Sequence, residues 1–366
     1  MSKAAELANL IGNINAGGGG VNRNVIINGA TNVAQRGTSQ TSITGTANAY
    51  YVQDRWRVNV NSSGALTQTQ DSSAPSGFAN SIKLDCTTAD TSIASTEVLI
   101  LHQRIEGQNL QGFAKGTSDA KPFAVSFYVK GNASATYCCG LRDRDNDRTA
   151  GKLFNVTTDW TRVELTFDAD TTGAFDDNNE ASLDLEIWLH AGSNYTSGTL
   201  NNTFASRTNA NRAVGISSFF DSTDRTFFIT GVQLEVGQNP TSFEVEPIEM
   251  TMRKCQRYFQ KTNAQFLLAG RGSGTTTGVA TVPLTVPLRG SPTTLDDNNL
   301  AFRAYTGSAV DIGDGTVPTV ASFAETDNTL LLNMLGFDGL SDDRVANFML
   351  FGTQNATTGF TMDSEL

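Results

Sequence analysis

The stretch Ala181-Ser-Leu-Asp-Leu-Glu-Ile-Trp-Leu-His190 alternates without a break: Leu183, Leu185, Ile187 and Leu189 are apolar, and Asp184, Glu186, Trp188 and His190 stand between them. A repeat of two is that of an extended strand, whose successive side chains point to opposite faces. The apolar row is expected to face a core and the other row to face away from it. A helix would need its apolar residues three and four apart.

The same pattern recurs on both sides of this segment. In Phe123-Ala-Val125-Ser-Phe127-Tyr-Val129 the odd positions are apolar, as are Val163, Leu165 and Phe167. Thr230-Gly-Val232-Gln-Leu234-Glu-Val236 repeats it and ends at Gly237, with Pro240 in the following turn. Clusters of Gly, Asn, Asp and Ser separate these runs and read as turns. Residues 24–248 are therefore expected to form one large jelly-roll β-sandwich.

Beyond it, Ile248, Met252, Cys255 and Phe259 recur at helical spacing, with Arg253, Lys254, Arg257 and Lys261 on the other positions. That predicts a connecting amphipathic helix over 249–262. Strand signals then resume, with Pro283, Pro287 and Pro292 punctuating the early part, so 263–366 is read as a smaller C-terminal β domain. At the other end, Ala4, Leu7, Ile11 and Ile14 form one stripe of a short helix that needs a partner, and Gly17-Gly18-Gly19-Gly20 follows as a flexible linker. Residues 1–23 are read as an N-terminal anchor, the alternative being a frayed apolar terminus. The fold class expected is all-β.

Composition narrows the function. Twenty-six Lys and Arg against 37 Asp and Glu give a formal charge of −11, which opposes a phosphate backbone or an anionic membrane leaflet as partner. Cys86, Cys138, Cys139 and Cys255 suggest neither a disulfide framework nor a zinc site and are expected to be reduced thiols. Met-Ser-Lys-Ala-Ala-Glu-Leu lacks the apolar run of a signal peptide, and no segment approaches the length of a membrane span, so cytoplasmic synthesis without membrane insertion is expected.

Catalytic signals are weak. The chain has two histidines, His102 and His190, neither in a nucleophile motif, and no phosphate-cradling or dinucleotide fingerprint. Asp184, Glu186 and Glu164 leave a glycosidase pair open, because carboxylate separation is invisible in sequence. No enzyme is expected. No cofactor is required by any motif, although Asp168-Ala-Asp170-Thr-Thr172-Gly173 starts like a calcium loop, with Asn179 where the closing carboxylate is due. Asp168, Asp170, Asp176 and Asp177 are thus candidate ligands of a structural Ca²⁺, with a hydrated acidic turn as the alternative; Asp143, Asp145 and Asp147 make a weaker version.

The outward rows carry the binding chemistry. Alternation turns Tyr128 and Lys130, Arg162 and Glu164, and Asp184, Glu186, Trp188 and His190 away from the apolar rows. Sugars stack their C–H faces on aromatic rings while carboxylates and guanidinium groups take the hydroxyls. Trp188 amid Asp184, Glu186 and His190, with Tyr128, Arg162 and Glu164, forms the candidate carbohydrate site. The competing role for Trp188 is to cover the sheet beneath a loop or to pack on a neighbouring subunit.

Several segments carry a resemblance. Asn24-Val-Ile-Ile-Asn-Gly-Ala30, Val33-Ala-Gln-Arg-Gly-Thr38, Asp54-Arg-Trp-Arg57, Gln103-Arg-Ile-Glu-Gly-Gln-Asn-Leu110, Gly231-Val-Gln-Leu-Glu-Val-Gly237 with Phe243-Glu244, and Cys255-Gln-Arg-Tyr-Phe-Gln260 together resemble tail-fibre-like proteins of phages of marine bacteria and cyanobacteria. Pro283-Leu-Thr-Val-Pro-Leu-Arg-Gly-Ser-Pro292 and Met362-Asp-Ser-Glu-Leu366 resemble the ends of such fibres. The resemblance covers roughly residues 24–262. It implies a jelly roll similar to carbohydrate-binding modules, no catalytic residues, and a homotrimer that would give the N-terminal stripe its partner. It also implies a structural virion protein, on a tail or capsid surface, that docks other virion proteins through its N-terminus and attaches to host surface polysaccharide as a receptor-binding adhesin. A capsid decoration or head-fibre protein would share these features, and a polysaccharide depolymerase is the rival from another class.

Overall fold

In the computed structural model the described residues are 2–15, 22–261 and, beyond them, 265–272, 276–292, 294–296, 300–306, 309–312, 319–326, 329–335, 345–352 and 361–366. The chain divides into two compact units, residues 1–251 with 366, and 252–365.

The first unit opens with helix α1 (Lys3–Asn15). On it Ala4 is exposed and Leu7 and Ile11 are about half exposed (57% and 50%), while the side chain of Ile14 and the whole of Gly17–Gly20 lie outside the described residues. Eleven strands follow: β1 (Ser39–Tyr50), β2 (Arg57–Asp71), β3 (Ser81–Thr88), β4 (Val98–Glu106), β5 (Phe123–Gly131), β6 (Ala135–Asp143), β7 (Arg148–Val156), β8 (Thr161–Phe167), β9 (Ala181–Ala191), β10 (Ala205–Ser206) and β11 (Thr226–Val236). Their hydrogen-bonded order is β10-β7-β6-β9-β4-β2-β3-β11-β5-β8, with β1 also on β2. Every pairing given for them is antiparallel.

This path folds over on itself. Phe127 of β5 meets Phe154 of β7 edge-on at 5.0 Å, and Tyr137 of β6 meets Phe227 of β11 at 5.6 Å, although these strands are not hydrogen-bonded neighbours. Two layers therefore face each other, β10-β7-β6-β9-β4 against β3-β11-β5-β8. Strand β2 serves both: Arg57–Asn61 pairs with β4, and Ala65–Asp71 pairs with β3. Register shifts between Ala65 and Leu66 against β3, and between Thr44 and Gly45 against β1, let it turn the corner. Most connections cross between layers, the winding of a jelly roll.

The predicted apolar rows meet in one core: Phe123, Val125, Phe127 and Val129 from β5, Val163 and Phe167 from β8, and Leu183, Leu185, Ile187 and Leu189 from β9 are all buried. In β11 the inward row runs Phe227, Ile229, then Val232, Leu234 and Val236. Its phase changes at a bulge centred on Gly231, whose φ is +62° and whose absent Cβ would lie 2.7 Å from Phe78 Cζ. Only glycine meets both demands.

Four of the segments quoted for the resemblance, around Asn28, Val33, Trp56 and Gln103, meet in a polar joint. The Asn28 side chain donates to the carbonyls of Val33 (2.8 Å) and Asp54 (3.0 Å), and its own carbonyl accepts the Trp56 indole N–H at 3.1 Å. Gln103 clamps both backbone groups of Ile27, and Glu244 accepts the amides of Asn22 and Asn24. With its backbone paired this way, the irregular entry strand can lie in the interior.

The second unit takes in most of α3 (Ile248–Gln256), the division falling within that helix, and contains β12 (Phe259–Lys261), β13 (Gln265–Gly272), β14 (Thr277–Pro283), β15 (Thr294–Asp296), β16 (Leu300–Thr306), β17 (Ala309–Ile312), β18 (Thr319–Thr326), β19 (Thr329–Leu335), β20 (Val345–Gly352) and β21 (Thr361–Asp363). Seven strands form an antiparallel sheet ordered β17-β16-β20-β13-β14-β19-β18, and β12-β21-β15 forms a smaller one. Ala280, Val282, Leu330 and Leu332 alternate inward from β14 and β19.

Candidate functional site

On the outer face of the β2-β4-β9-β6 layer, cross-strand register lines up three rows of side chains. Asn48, Asn59, Ile100, Trp188 and Cys138 make one; Tyr50, Arg57, His102, Glu186 and Gly140 the next; Arg104, Asp184 and Arg142 the third. Members of all three rows line a cavity of about 160 Å³, together with Tyr195 of the short helix α2 (Ser193–Thr196) and Arg212.

Its polar groups are only partly matched. Asp184 accepts a hydrogen bond from Arg144 Nη1 at 3.1 Å, while Arg104 Nε stands 3.8 Å from its Oδ1 and Arg142 Nη1 4.0 Å from its Oδ2. Oδ1 has no protein hydrogen-bond partner, nor have the Nε atoms of Arg104, Arg142 and Arg212. His102, 5% exposed, has none on either ring nitrogen. Such groups normally find partners, because an unmatched buried donor or acceptor costs roughly 1–3 kcal/mol. Burial, and then the charges of Arg104, Arg57, Arg144 and Arg142, pull the His102 pKa well below the ordinary imidazole value, so the ring is neutral and offers one donor and one acceptor. Burial and the neighbouring Glu186 raise Asp184, against the pull of its arginines.

Glu186, by contrast, is matched. Arg212 Nη2 reaches both of its oxygens at 2.7 Å and the Trp188 indole donates to Oε2 at 3.0 Å. Gly140, opposite Glu186, leaves room for this: a Cβ there would lie 3.4 Å from both Glu186 Oε2 and Trp188 Nε1.

The structure redistributes the residues expected to form a sugar site. Asp184, Glu186 and Trp188 do stand together on the outer face, but they are buried rather than solvent-facing, at 1%, 4% and 1% exposed. The loop after β9 covers them: Trp188 packs with Val98, Ile100, Cys138 and Ala213, beside Tyr195, Leu200 and Ile216, and Arg212 lies 4.7 Å over its ring. Trp188 is thus a wall beneath a loop and not an open stacking platform. His190 leaves the row altogether. A register shift pairs Ile100 with Trp188 but Leu99 with His190, so the extra residue, Leu189, turns His190 inward. There its Nε2 lies 3.0 Å from Glu97 and its Nδ1 2.8 Å from Ser218, against the Phe220 ring.

Tyr128, Arg162 and Glu164 belong to the opposite layer and cannot join them. Tyr128 packs at 5.4 Å on Phe78, which in turn meets Phe243. Arg162 is tied to Glu164 and to the carbonyl of Thr241. This second face is joined to the segment after β11 and serves the fold.

The acidic turns are organised around a lysine. The fully buried Lys115 ammonium is ion-paired with Asp143 (2.6 Å) and Asp170 (3.1 Å) and donates to the carbonyls of Thr172 and Gly173 (both 2.8 Å). Asp170 also takes two hydrogen bonds from Arg148. Asp168, Asp176 and Asp177 point outward and are exposed. Among the described residues no group of three or more His, Cys, Asp or Glu side chains converges on a metal position. Within the loop that reads as a calcium site, Asp170 and the carbonyls of Thr172 and Gly173 meet the Lys115 ammonium. Cys86, Cys138, Cys139 and Cys255 are all buried, and burial pushes the Cys138 thiol up to about 12.

Sequence reading misses His102, Arg104, Arg142, Arg144, Arg212 and Tyr195. The signal exists in part: Leu101-His-Gln-Arg104 and Leu141-Arg-Asp-Arg144 place polar side chains on alternate positions, as in β9. What puts them beside Asp184 is strand pairing between distant segments, which alternation does not encode.

No family model and no curated protein matches the chain. Solved structures similar in fold include a CBM4 module, at 11% identity and a TM-score of 0.30 over 57% of this chain and 97% of that one. The family 11 carbohydrate-binding module of the cellulosomal cellulase Lic26A-Cel5E of Clostridium thermocellum is similar at 11% identity and a TM-score of 0.28, over 53% and 96%. The enzymatically active domain of tailspike protein 4 of bacteriophage CBA120 is similar at 13% identity and a TM-score of 0.29; the likeness covers 58% of this chain and 21% of that longer one. No described helix is long and apolar enough to cross a membrane.

Proposed function

We propose that the jelly roll is a carbohydrate-binding domain and that its ligand enters the cavity between His102, Asp184 and Tyr195. The observation that carries this is His102: a neutral imidazole, almost wholly buried beside the cavity that it lines, with no protein hydrogen-bond partner on either ring nitrogen. Together with Asp184 Oδ1 and the arginine Nε atoms it presents the mixed donors and acceptors that sugar hydroxyls satisfy. Tyr195, half-buried at the cavity wall, supplies the aromatic surface that Trp188 cannot. Binding without catalysis fits best, since Glu186 has both oxygens engaged by Arg212 and is not poised for proton transfer.

The same reading makes the chain a tail-fibre-type adhesin of a phage particle, trimeric and docked through α1. The motifs resembling tail-fibre proteins and the exposed Leu7 and Ile11 support it, and multivalency would turn weak sugar contacts into firm attachment. The test is binding of the purified protein to intact bacteria and to their extracted surface polysaccharide, with His102→Ala and Tyr195→Ala compared at equal assembly state. Saturable binding lost in both variants is the expected result. Binding unchanged in both would remove the cavity from the account, and sustained release of reducing ends would replace adhesion by hydrolysis.

A further inference from the structure

We propose that this cavity selects an acidic sugar, one bearing a carboxylate or sulfate oxyanion, over its neutral counterpart; the inference rests on the carbohydrate-binding reading above.

Charge and unused donors favour an anion here. Arg104, Arg142 and Arg212 line the cavity, and Arg57 and Arg144 stand close enough to act on His102, whereas the carboxylates facing it are Asp184 and Glu186. Among the residues lining the cavity, three guanidinium groups against two carboxylates leave a local excess of one positive charge, in a chain whose formal charge is −11. Glu186 consumes Arg212, and Asp184 takes its one hydrogen bond from Arg144. Arg104 and Arg142 approach Asp184 at 3.8 and 4.0 Å, too far for a hydrogen bond, and each keeps an Nε–H without a protein partner.

Burial strips hydration from both groups, and both have pKa values lowered chiefly by it, so each gains from a second anion. A guanidinium binds a carboxylate or sulfate through paired N–H groups, with geometry a neutral hydroxyl cannot match. His102, being neutral, does not add to the charge; it would take a ring hydroxyl next to the oxyanion. Arg104 and Arg142 flank Asp184 on β4 and β6, so an oxyanion bridging them would lie over the middle of the face.

The experiment is calorimetric titration of the full chain with matched polysaccharides: polygalacturonate against its methyl ester, and dextran sulfate against dextran. Each pair keeps the backbone and removes the charge, so wild type alone gives an answer. Arg104→Gln and Arg142→Gln are added, and their melting is checked first; Asp184 keeps Arg144 in either variant. Expected is binding to an acidic member at least on the order of tenfold tighter than to its neutral partner, weakened by salt, with the preference reduced in both variants. Which pair shows it distinguishes carboxylate from sulfate recognition. Equal binding of charged and neutral members overturns the acidic preference and leaves a sugar site standing. Preference unchanged in both variants overturns the assignment to these arginines. No binding to any of the four overturns both readings.

Discussion

Lys115 and Asp143 form an ion pair with both side chains fully buried, Nζ to Oδ2 at 2.6 Å, and the same ammonium reaches Asp170 at 3.1 Å. Phe175 and Phe204 lie 5.3 and 5.7 Å from it. Two carboxylates, two carbonyls and two rings around one cation make an enclosed site in which the lysine does the work a metal ion would do. Lys115→Met should therefore cost about 3–5 kcal/mol, the usual penalty for leaving buried charge uncompensated. Denaturant unfolding measures it; a loss under 1 kcal/mol would mean that the acidic loops do not depend on the amine.

Calcium should do nothing to the wild-type protein. With the ammonium among the loop oxygens, millimolar Ca²⁺ or a chelator is expected to leave the melting temperature unchanged. A stabilisation that saturates with calcium would show a cation site that the Lys115 arrangement does not provide.

Two titrations act in different pH windows. His102 has a folded pKa well below its unfolded value of about 6.5. Its contribution is present above that value and declines as pH falls below it, because the unfolded chain takes up a proton that the folded chain refuses. Asp170 behaves the same way lower down. Burial raises its pKa, but hydrogen bonds from Arg148 and Lys115 outweigh this and hold it below the ordinary value, so its share is lost only as pH falls below about 4. The unfolding midpoint should drop between pH 7 and 5, and His102→Gln should flatten that drop without removing the acid limb. An equal slope in the variant would show that His102 does not carry the first window.

Gly231→Ala should destabilise the jelly roll by about 1–3 kcal/mol, since a φ of +62° strains any side chain and the added methyl meets Phe78 and Tyr128. Thermal melting tests this, with Gly45→Ala as the comparison: its φ of +67° carries the same backbone strain, but nothing lies near its absent Cβ.

Much of this architecture is legible in alternation alone. The rows of β5, β8 and β9 reach the core as read, and the two-residue spacing of Asp184, Glu186 and Trp188 puts them on one outer face. What alternation misses is local irregularity and long-range coverage. One bulged residue, Leu189, is enough to turn His190 inward, and the loop carrying Tyr195 and Arg212 buries a tryptophan that the strand pattern presents as open. Tyr128, Arg162 and Glu164 are read correctly as outward, but on the other layer, because sequence does not say which strands share a sheet. In the acidic turn the oxygens are visible from Asp168 to Gly173, whereas their cation comes from position 115, more than fifty residues earlier.

The most direct test of the binding face uses the chain's two histidines, His102 and His190, as built-in reporters. In protein labelled at the imidazole carbons, the two ring signals are assigned by His102→Gln and followed by NMR while oligogalacturonate, or the tightest glycan from the four-polysaccharide comparison, is added. The His102 signals should shift and saturate while those of His190, closed in between Glu97 and Ser218, stay in place. Saturable binding with His102 unmoved would contradict this and put the sugar elsewhere on the molecule.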